Sequence, residues 1–196
     1  AKTPVISVDT PAAELGVPSV SIDNKAGAHQ LMTHILEHDH RDIIIFTGPA
    51  ISYDSNERLA GCRAAAEDAG CKLPPSQIIV GEFTIESGRK LMTELLDRGG
   101  KLPDAIVALN DAMAIGALGV MKERGLTAPE DIAVTGFDDC DSAPVIGLTT
   151  VHAPLYQMGQ EAAKLALASL TPEGPAANHI IVPTELVIRQ SCGCQP

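Results

Sequence analysis

Basic clusters, tryptophan, paired cysteine motifs and long apolar runs are all missing from this chain of 196 residues. Lys and Arg number 14 against 25 Asp and Glu, a formal net charge of −11. A duplex-DNA surface neutralises phosphates with clustered cations. This segment holds no such cluster, so it is read as no nucleic-acid binder in its own right. Aromatics make up 3% of the chain, with no Trp, and Ala, Leu, Ile, Val and Gly are left to fill the core. That composition suits buried parallel strands, which favour branched aliphatics. The five cysteines are an odd number with no C-x-x-C pair. Three fall in or beside apparent α/β elements, which points to reduced thiols and a cytoplasmic protein. Cys192-Gly193-Cys194 is read as a frayed tail rather than a metal or redox motif. No signal peptide is legible and no apolar run approaches ~18 residues, so no membrane span is expected. There is no G-x-G-x-x-G, no Walker loop and no G-x-S-x-G, and no enzyme reading rests on a firm motif. The first residue is Ala, so the chain is read as a piece of something longer.

What is present is a 45% hydrophobic chain, enough for one core or two small lobes. Its organising stretch, residues 105–141, reads as strand, helix, strand. AIVAL is apolar. The helix that follows places Met113, Ala117 and Val120/Met121 on one face. DIAVTGF is apolar again. Each strand stops on polar residues, Asn110-Asp111 and Asp138-Asp139. Earlier, strands are expected at 4–9, 19–23, 42–47 and 77–80. The helix opening at Asn24 carries Ala28, Leu31, Met32, Ile35 and Leu36 as one buried stripe. Asp54 and Glu57 have capping-box spacing for the next helix, and a further helix runs over 85–97. The strand–helix alternation from 19 to 124 specifies parallel pairing with right-handed crossovers. After 141 come a loop, a short strand near 148–151, and a helix opened by Pro154 with Leu155, Met158, Ala162 and Leu165 inward. A turn at 171–177 and two final strands, 178–182 and 185–189, complete the chain.

Parallel strands joined by helices place their carboxyl ends on one edge, where open α/β folds bind ligands. Asn110 and Asp138 are therefore expected to face one small polar molecule. Arg58 follows a strand end on the next helix and could offer a bidentate guanidinium. Phe83 could stack on a ring, or simply fill the core. His34-Ile35-Leu36-Glu37-His38 spells H-x-x-E-H, a zinc-protease string. Both histidines are placed on the solvated flank opposite Ala28, Leu31 and Ile35, with no third ligand, and no metal is expected. Asp138, Asp139 and Asp141 resemble a magnesium cluster, but no phosphate loop or base accompanies them. Asp139 and Asp141 are read as turn residues.

Several strings together, HILEHDHRDIIIFTGP, ERLAGCRAAAEDAG, GEFTIESG, AIVALNDAMAIGALGVMKERGLTAPEDIAVTGFDD, LTTV and ELVIRQS, resemble the effector-binding domain of the lactose-repressor/galactose-repressor (LacI/GalR) family. The resemblance runs unbroken from Val5 to Ser191. It implies an α/β, type I periplasmic-binding-protein-like fold with a parallel sheet flanked by helices. One complete C-terminal lobe (24–153 and 183–192) would accompany a partial N-terminal lobe (1–23 and 154–182), with 193–196 as a tail. An N-terminally truncated domain is implied, lacking its first βα units and a DNA-binding headpiece. The family's ligand contacts fall on Asp9, Asp54, Arg58, Phe83, Asn110 and Asp138. The sequence departs from the family pattern at Gly147, where proline is common, and at His152-Ala153-Pro154-Leu155.

The expectation is thus a non-enzymatic, cofactor-free sensor of a sugar or similar polyol. It would form a homodimer and control DNA allosterically through the headpiece. The rivals are the same sensor fused to a diguanylate cyclase or histidine kinase, a periplasmic sugar carrier, and a metal-dependent α/β hydrolase using Asp138/Asp139 or His34/His38. Arg58→Ala and Asp138→Ala are each expected to abolish effector binding while changing stability by only about 1 kcal/mol, as exposed pocket groups do.

Overall fold

A computed structural model describes residues 3–171 and 178–194 of the chain. These fall into two units, Ala1–Asn24 with Ala153–Thr184, and Lys25–His152 with Glu185–Pro196. The first unit carries a three-stranded parallel sheet of β1 (Ser7–Val8), β2 (Ser19–Ile22) and β8 (His179–Val182), in that order. Ser19 and Ser21 of β2 sit in the sheet, and both hydroxyls reach the His179 ring, at 2.8 and 3.0 Å. Helix α5 (Leu155–Ala168) buries Met158 and Leu165. Two expectations need correcting. The first strand is two residues long rather than running over 4–9. Leu155, expected inward, is exposed: it is the first residue of the helix, past the Pro154 N-cap, where no preceding turn flanks it. The turn expected at 171–177 lies outside the described residues except for Thr171.

The second unit is built on a four-stranded, fully parallel sheet, order β4 (Ile78–Val80), β3 (Ile43–Thr47), β5 (Ala105–Ala108), β6 (Ala133–Thr135). Helices α2 (Tyr53–Asp68), α3 (Ile85–Asp97) and α4 (Asp111–Glu123) make its crossovers, and α1 (Asn24–Glu37) leads into β3. Every residue of β3, β5 and β6 is buried, as expected of strands covered on both faces. The strand–helix alternation alone would put β2 in this sheet; it pairs with β1 and β8 instead. Alternation dictates parallel neighbours but carries no information on which strands share a sheet. The chain's last strand, β9 (Glu185–Val187), runs antiparallel to β7 (Thr150–His152).

Local capping explains several helix starts. Thr84 accepts from the Ser87 amide at the start of α3, and Asn110 from the Met113 amide at the start of α4. For α2 the cap is Ser52, whose Oγ accepts from the Ser55 amide, and not the expected pair Asp54 and Glu57. Ser, like Asp, caps well, and the Gly48-Pro49 turn delivers the chain to Ser52 one residue before the helix begins.

Helices α3 and α4 approach so closely that Gly88 and Gly116 have no room for a side chain. A Cβ on Gly88 would strike the backbone of Met113, and one on Gly116 the Ile85 carbonyl and the Arg89 amide. Backbone cannot yield as a side-chain tip can. Gly116→Ala is therefore expected to destabilise by about 2 kcal/mol through overpacking. Gly119→Ala, one turn on, meets only the far end of the Arg89 side chain and should be neutral or stabilising by up to about 1 kcal/mol through helix propensity. Urea unfolding of the two variants checks the contrast.

Candidate functional site

The four parallel strands of the second unit release the chain at a common edge. Thr47-Gly48, Gly81–Thr84, Leu109-Asn110 and Gly136–Asp139 leave their strands there. Arg58 lies in the second turn of α2 and is buried. One guanidinium nitrogen donates to the Leu109 carbonyl at 2.7 Å and to Asp138 Oδ1 at 3.1 Å. The guanidinium carbon stands 3.8 Å from the Phe137 ring centroid and 5.8 Å from that of Phe83. A cation over an aromatic face is attracted by the ring quadrupole.

Asp138 adopts a left-handed backbone (φ 120) and its amide donates to the Val151 carbonyl at 2.8 Å, tying the turn to β7. Its side chain stays 35% exposed, against 7% for Arg58, so the carboxylate is the member of the pair open to a solute. Burial pushes the Asp138 carboxyl up to about 6; the Arg58 charge pulls the other way, and Asp111 and Asp54 push it further up. Asp54, partly buried near the start of α2, is thus within electrostatic reach of Asp138. Phe83, also left-handed (φ 58), lays its ring over Gly48, where any Cβ would collide with it. Both amide functions of Asn110 are engaged in holding structure. Its Oδ1 caps α4 and its Nδ2 donates to the Phe83 carbonyl at 3.0 Å. Asn110 therefore positions the Phe83 loop.

Arg58, Phe83, Asn110, Asp138 and Asp54 are brought together on this edge. Asp9 belongs to the other unit. There it follows β1 with φ 74, partly buried, its amide donating to the Val20 carbonyl at 2.8 Å.

Sequence reasoning gave no role to two residues of the same edge, Phe137 and Asp111. Phe137, the ring beneath Arg58, ends a strand just as Phe83 does and was equally legible on that ground. Asp111 is buried and accepts from the Thr150 hydroxyl at 2.6 Å and the Cys140 amide at 2.7 Å. Burial holds its carboxyl above the usual range, with those hydrogen bonds opposing. Asp139 does sit in a turn conformation (φ 56), yet it also pairs with Arg189 at 2.7 Å and His152 at 3.1 Å. No local pattern links Asp139 to a partner fifty residues away. Asp141 is an exposed turn residue. Because Asp138 and Asp139 each already face a guanidinium, this acidic run is built for ion pairing within the protein.

The sequence matches a family model described as a periplasmic binding protein-like domain over residues 32–192. The transcriptional repressor CytR of Escherichia coli is 34% identical over 98% of this chain, and the chain spans 57% of that protein's length. A regulatory protein of the LacI family from Chloroflexus aggregans superposes with a TM-score of 0.88 at 33% identity, over 96% of this chain and 68% of that one. The regulator CelR in complex with cellobiose superposes at 0.83 with 30% identity, over 96% and 65%. The α/β architecture, the polar strand-end edge and these matches agree: the chain belongs to the periplasmic binding protein-like family, as an effector-binding domain of the LacI/GalR regulators.

Proposed function

We propose that this domain senses a small polyhydroxylated molecule, a sugar or close relative, and that it catalyses nothing. The observation that carries the reading is the Arg58–Asp138 pair, held against the Phe137 and Phe83 rings with its carboxylate left partly open. An aspartate oxygen accepts hydrogen bonds from hydroxyls, and an aromatic face suits the apolar side of a sugar ring. The cellobiose bound to CelR supports that ligand class. Asp54, Phe83 and Asp138 are the proposed contacts here, with Arg58 and Asn110 holding them in place. Asp9 is proposed as a further contact from the family pattern. We take Ala1–Asn24 with Ala153–Thr184 as part of the family's N-terminal lobe, and the other unit as its C-terminal lobe. In the whole protein, binding biases an equilibrium between DNA-competent and DNA-incompetent states of a cytoplasmic homodimer. DNA contact belongs to a headpiece rather than to this acidic segment.

Asp138→Asn tests the reading. The folded carboxyl is raised from its ordinary value to about 6, so the folded state holds the proton more tightly than the unfolded chain does. Its stabilising share is complete below the ordinary carboxylate range and is lost as pH rises through about 6. The Asp138 share of wild-type stability should therefore fall between roughly pH 4 and pH 6, and Asp138→Asn, which lacks that loss, should gain on wild type over the same range. Urea midpoints at pH 4.5 and 7.5 read this. Calorimetry against a panel of mono- and disaccharides reads binding at pH 7.5. The variant should lose at least about tenfold in affinity for whichever sugar wild type binds, since a carboxylate acceptor outranks an amide. Unchanged affinity in Asp138→Asn would remove Asp138 from the site.

A further inference from the structure

The four side chains His34, His38, Cys192 and Cys194, two local pairs far apart in sequence, converge on one spot of the second unit and share no residue with the sensing edge. Their ligand atoms all lie within 4.8 Å of one another. His34 Nε2 is 3.3 Å from Cys192 Sγ and 3.7 Å from Cys194 Sγ, and His38 Nε2 is 3.2 Å from Cys194 Sγ. We propose that these four residues form a tetrahedral site for a divalent transition metal of the zinc class, clamping residues 190–194 to the end of α1.

The geometry fits that ion. Zinc held by sulfur at ~2.3 Å and imidazole nitrogen at ~2.05 Å places neighbouring ligand atoms about 3.3–3.8 Å apart. Three of the histidine–cysteine pairs stand at 3.2, 3.3 and 3.7 Å, and the whole set, within 4.8 Å, needs to contract by at most about 1 Å to close on the ion. Two thiolates and two imidazoles are a soft, nitrogen–sulfur donor set, which selects zinc-like ions over magnesium or calcium. The positions follow from local structure. His34 and His38 are one turn apart at the carboxyl end of α1, where the Ile35 carbonyl accepts from the His38 amide and the negative end of the helix dipole favours a cation. Cys192 closes a short 3-10 turn (Gln190–Cys192), and Gly193 in the left-handed region (φ 98) swings Cys194 back toward the histidines. Thr149 Oγ1 lies 3.1 Å from Cys192 Sγ, placed to donate to a thiolate. His34 and Cys192 are buried, while His38 and Cys194 remain accessible, giving an ion a way in.

Two sequence expectations change here. His34 is not on a solvated flank, and Cys192 is not frayed; each is buried, in contact with the other. The H-x-x-E-H string acquires third and fourth ligands, but they point away from hydrolysis. Four protein ligands close the coordination sphere and leave no position for a reactive water, as in structural zinc sites. Binding releases the two thiol protons to solvent as the two metal–sulfur bonds form, and nothing is oxidised or reduced.

The test uses the full chain, made without a polyhistidine tag and kept reduced, stripped with chelator and titrated with Co²⁺ and then Zn²⁺. The expected result is one metal per chain and the intense visible absorption of tetrahedral sulfur-ligated cobalt, bleached by zinc. His38→Ala and Cys194→Ser, both at accessible positions where the fold should persist, are each expected to weaken zinc binding by more than about a hundredfold. Cys71→Ser, a thiol outside the cluster, should bind as wild type does. Zinc should raise the melting temperature of wild type and of Cys71→Ser but not of the two ligand variants. A weak octahedral cobalt spectrum, or wild-type zinc affinity in His38→Ala and Cys194→Ser, would overturn the proposal.

Discussion

Arg58→Ala is expected to cost about 4 kcal/mol of unfolding free energy, far more than a pocket-lining residue normally would. The sequence reading puts the cost near 1 kcal/mol because it treats Arg58 as an exposed ligand contact. The structure makes it an internal strut. Its guanidinium satisfies the buried Leu109 carbonyl, pairs with Asp138, and covers the Phe137 ring at 3.8 Å. Truncation strands the carbonyl, opens a cavity beside the ring and leaves Asp138 without its cation. The carboxylate is about one-third exposed, so solvent screens part of that last effect and the first two dominate. Two comparisons separate the contributions. Arg58→Lys should recover only part of the loss, because an ammonium cannot present a planar face to Phe137 while reaching both oxygens. In an Asp138→Asn background, Arg58→Ala should cost measurably less, since no charge is then left unpaired. Urea denaturation of wild type, the three single variants and the double variant reads all of this. A cost of 1 kcal/mol or less would return Arg58 to the role of an exposed contact.

The second large effect is expected at a residue that sequence reasoning overlooked. Asp111→Ala should destabilise by about 3 kcal/mol, the sum of two stranded buried donors less the relief of a buried carboxylate. Its carboxylate joins three segments: it caps no helix, but receives the Thr150 hydroxyl of β7 and the Cys140 amide of the turn after Asp138. Its own amide donates to the Phe137 carbonyl at 2.7 Å. Gly136 permits this, since a Cβ there would overlap the Asp111 carboxylate. Asp111→Asn should cost only about 1 kcal/mol. The amide oxygen can accept from the Cys140 N–H, and the Thr150 hydroxyl can turn to accept from the new NH₂. The same alanine variant should also lose sugar binding, because the turn that aims Asp138 is no longer anchored. Calorimetry beside urea unfolding distinguishes this from Asp111→Asn, which should still bind.

Much of the fold was legible because it rests on periodicity. Ala28, Leu31, Met32 and Ile35 recur at helical spacing and are fully buried. IIIF and AIVA are short apolar runs and became central strands. Parallel pairing through helices then forces their carboxyl ends onto one edge, so Arg58, Phe83, Asn110 and Asp138 could be gathered before any coordinates were known. The sheet membership of β2 could not be read this way, because the alternation is the same whichever sheet a strand joins. Nor could the roles within the edge. Asn110 looks identical in sequence whether or not it caps a helix, and only the positions of Met113 and Phe83 show that it does and that it also holds the Phe83 loop.

The residues with the longest reach were the least legible. A helical wheel puts His34 on the polar flank of α1, and by periodicity alone that flank faces water. It is buried because a segment 158 residues later packs against it. Asp139 finds Arg189 in the same way, across fifty residues of chain. Local spacing by itself determined the elements, their parallel pairing and the edge on which polar groups collect. Tertiary structure alone decided which polar groups met each other, because such pairings depend on the path of the whole chain and leave no periodic trace in it.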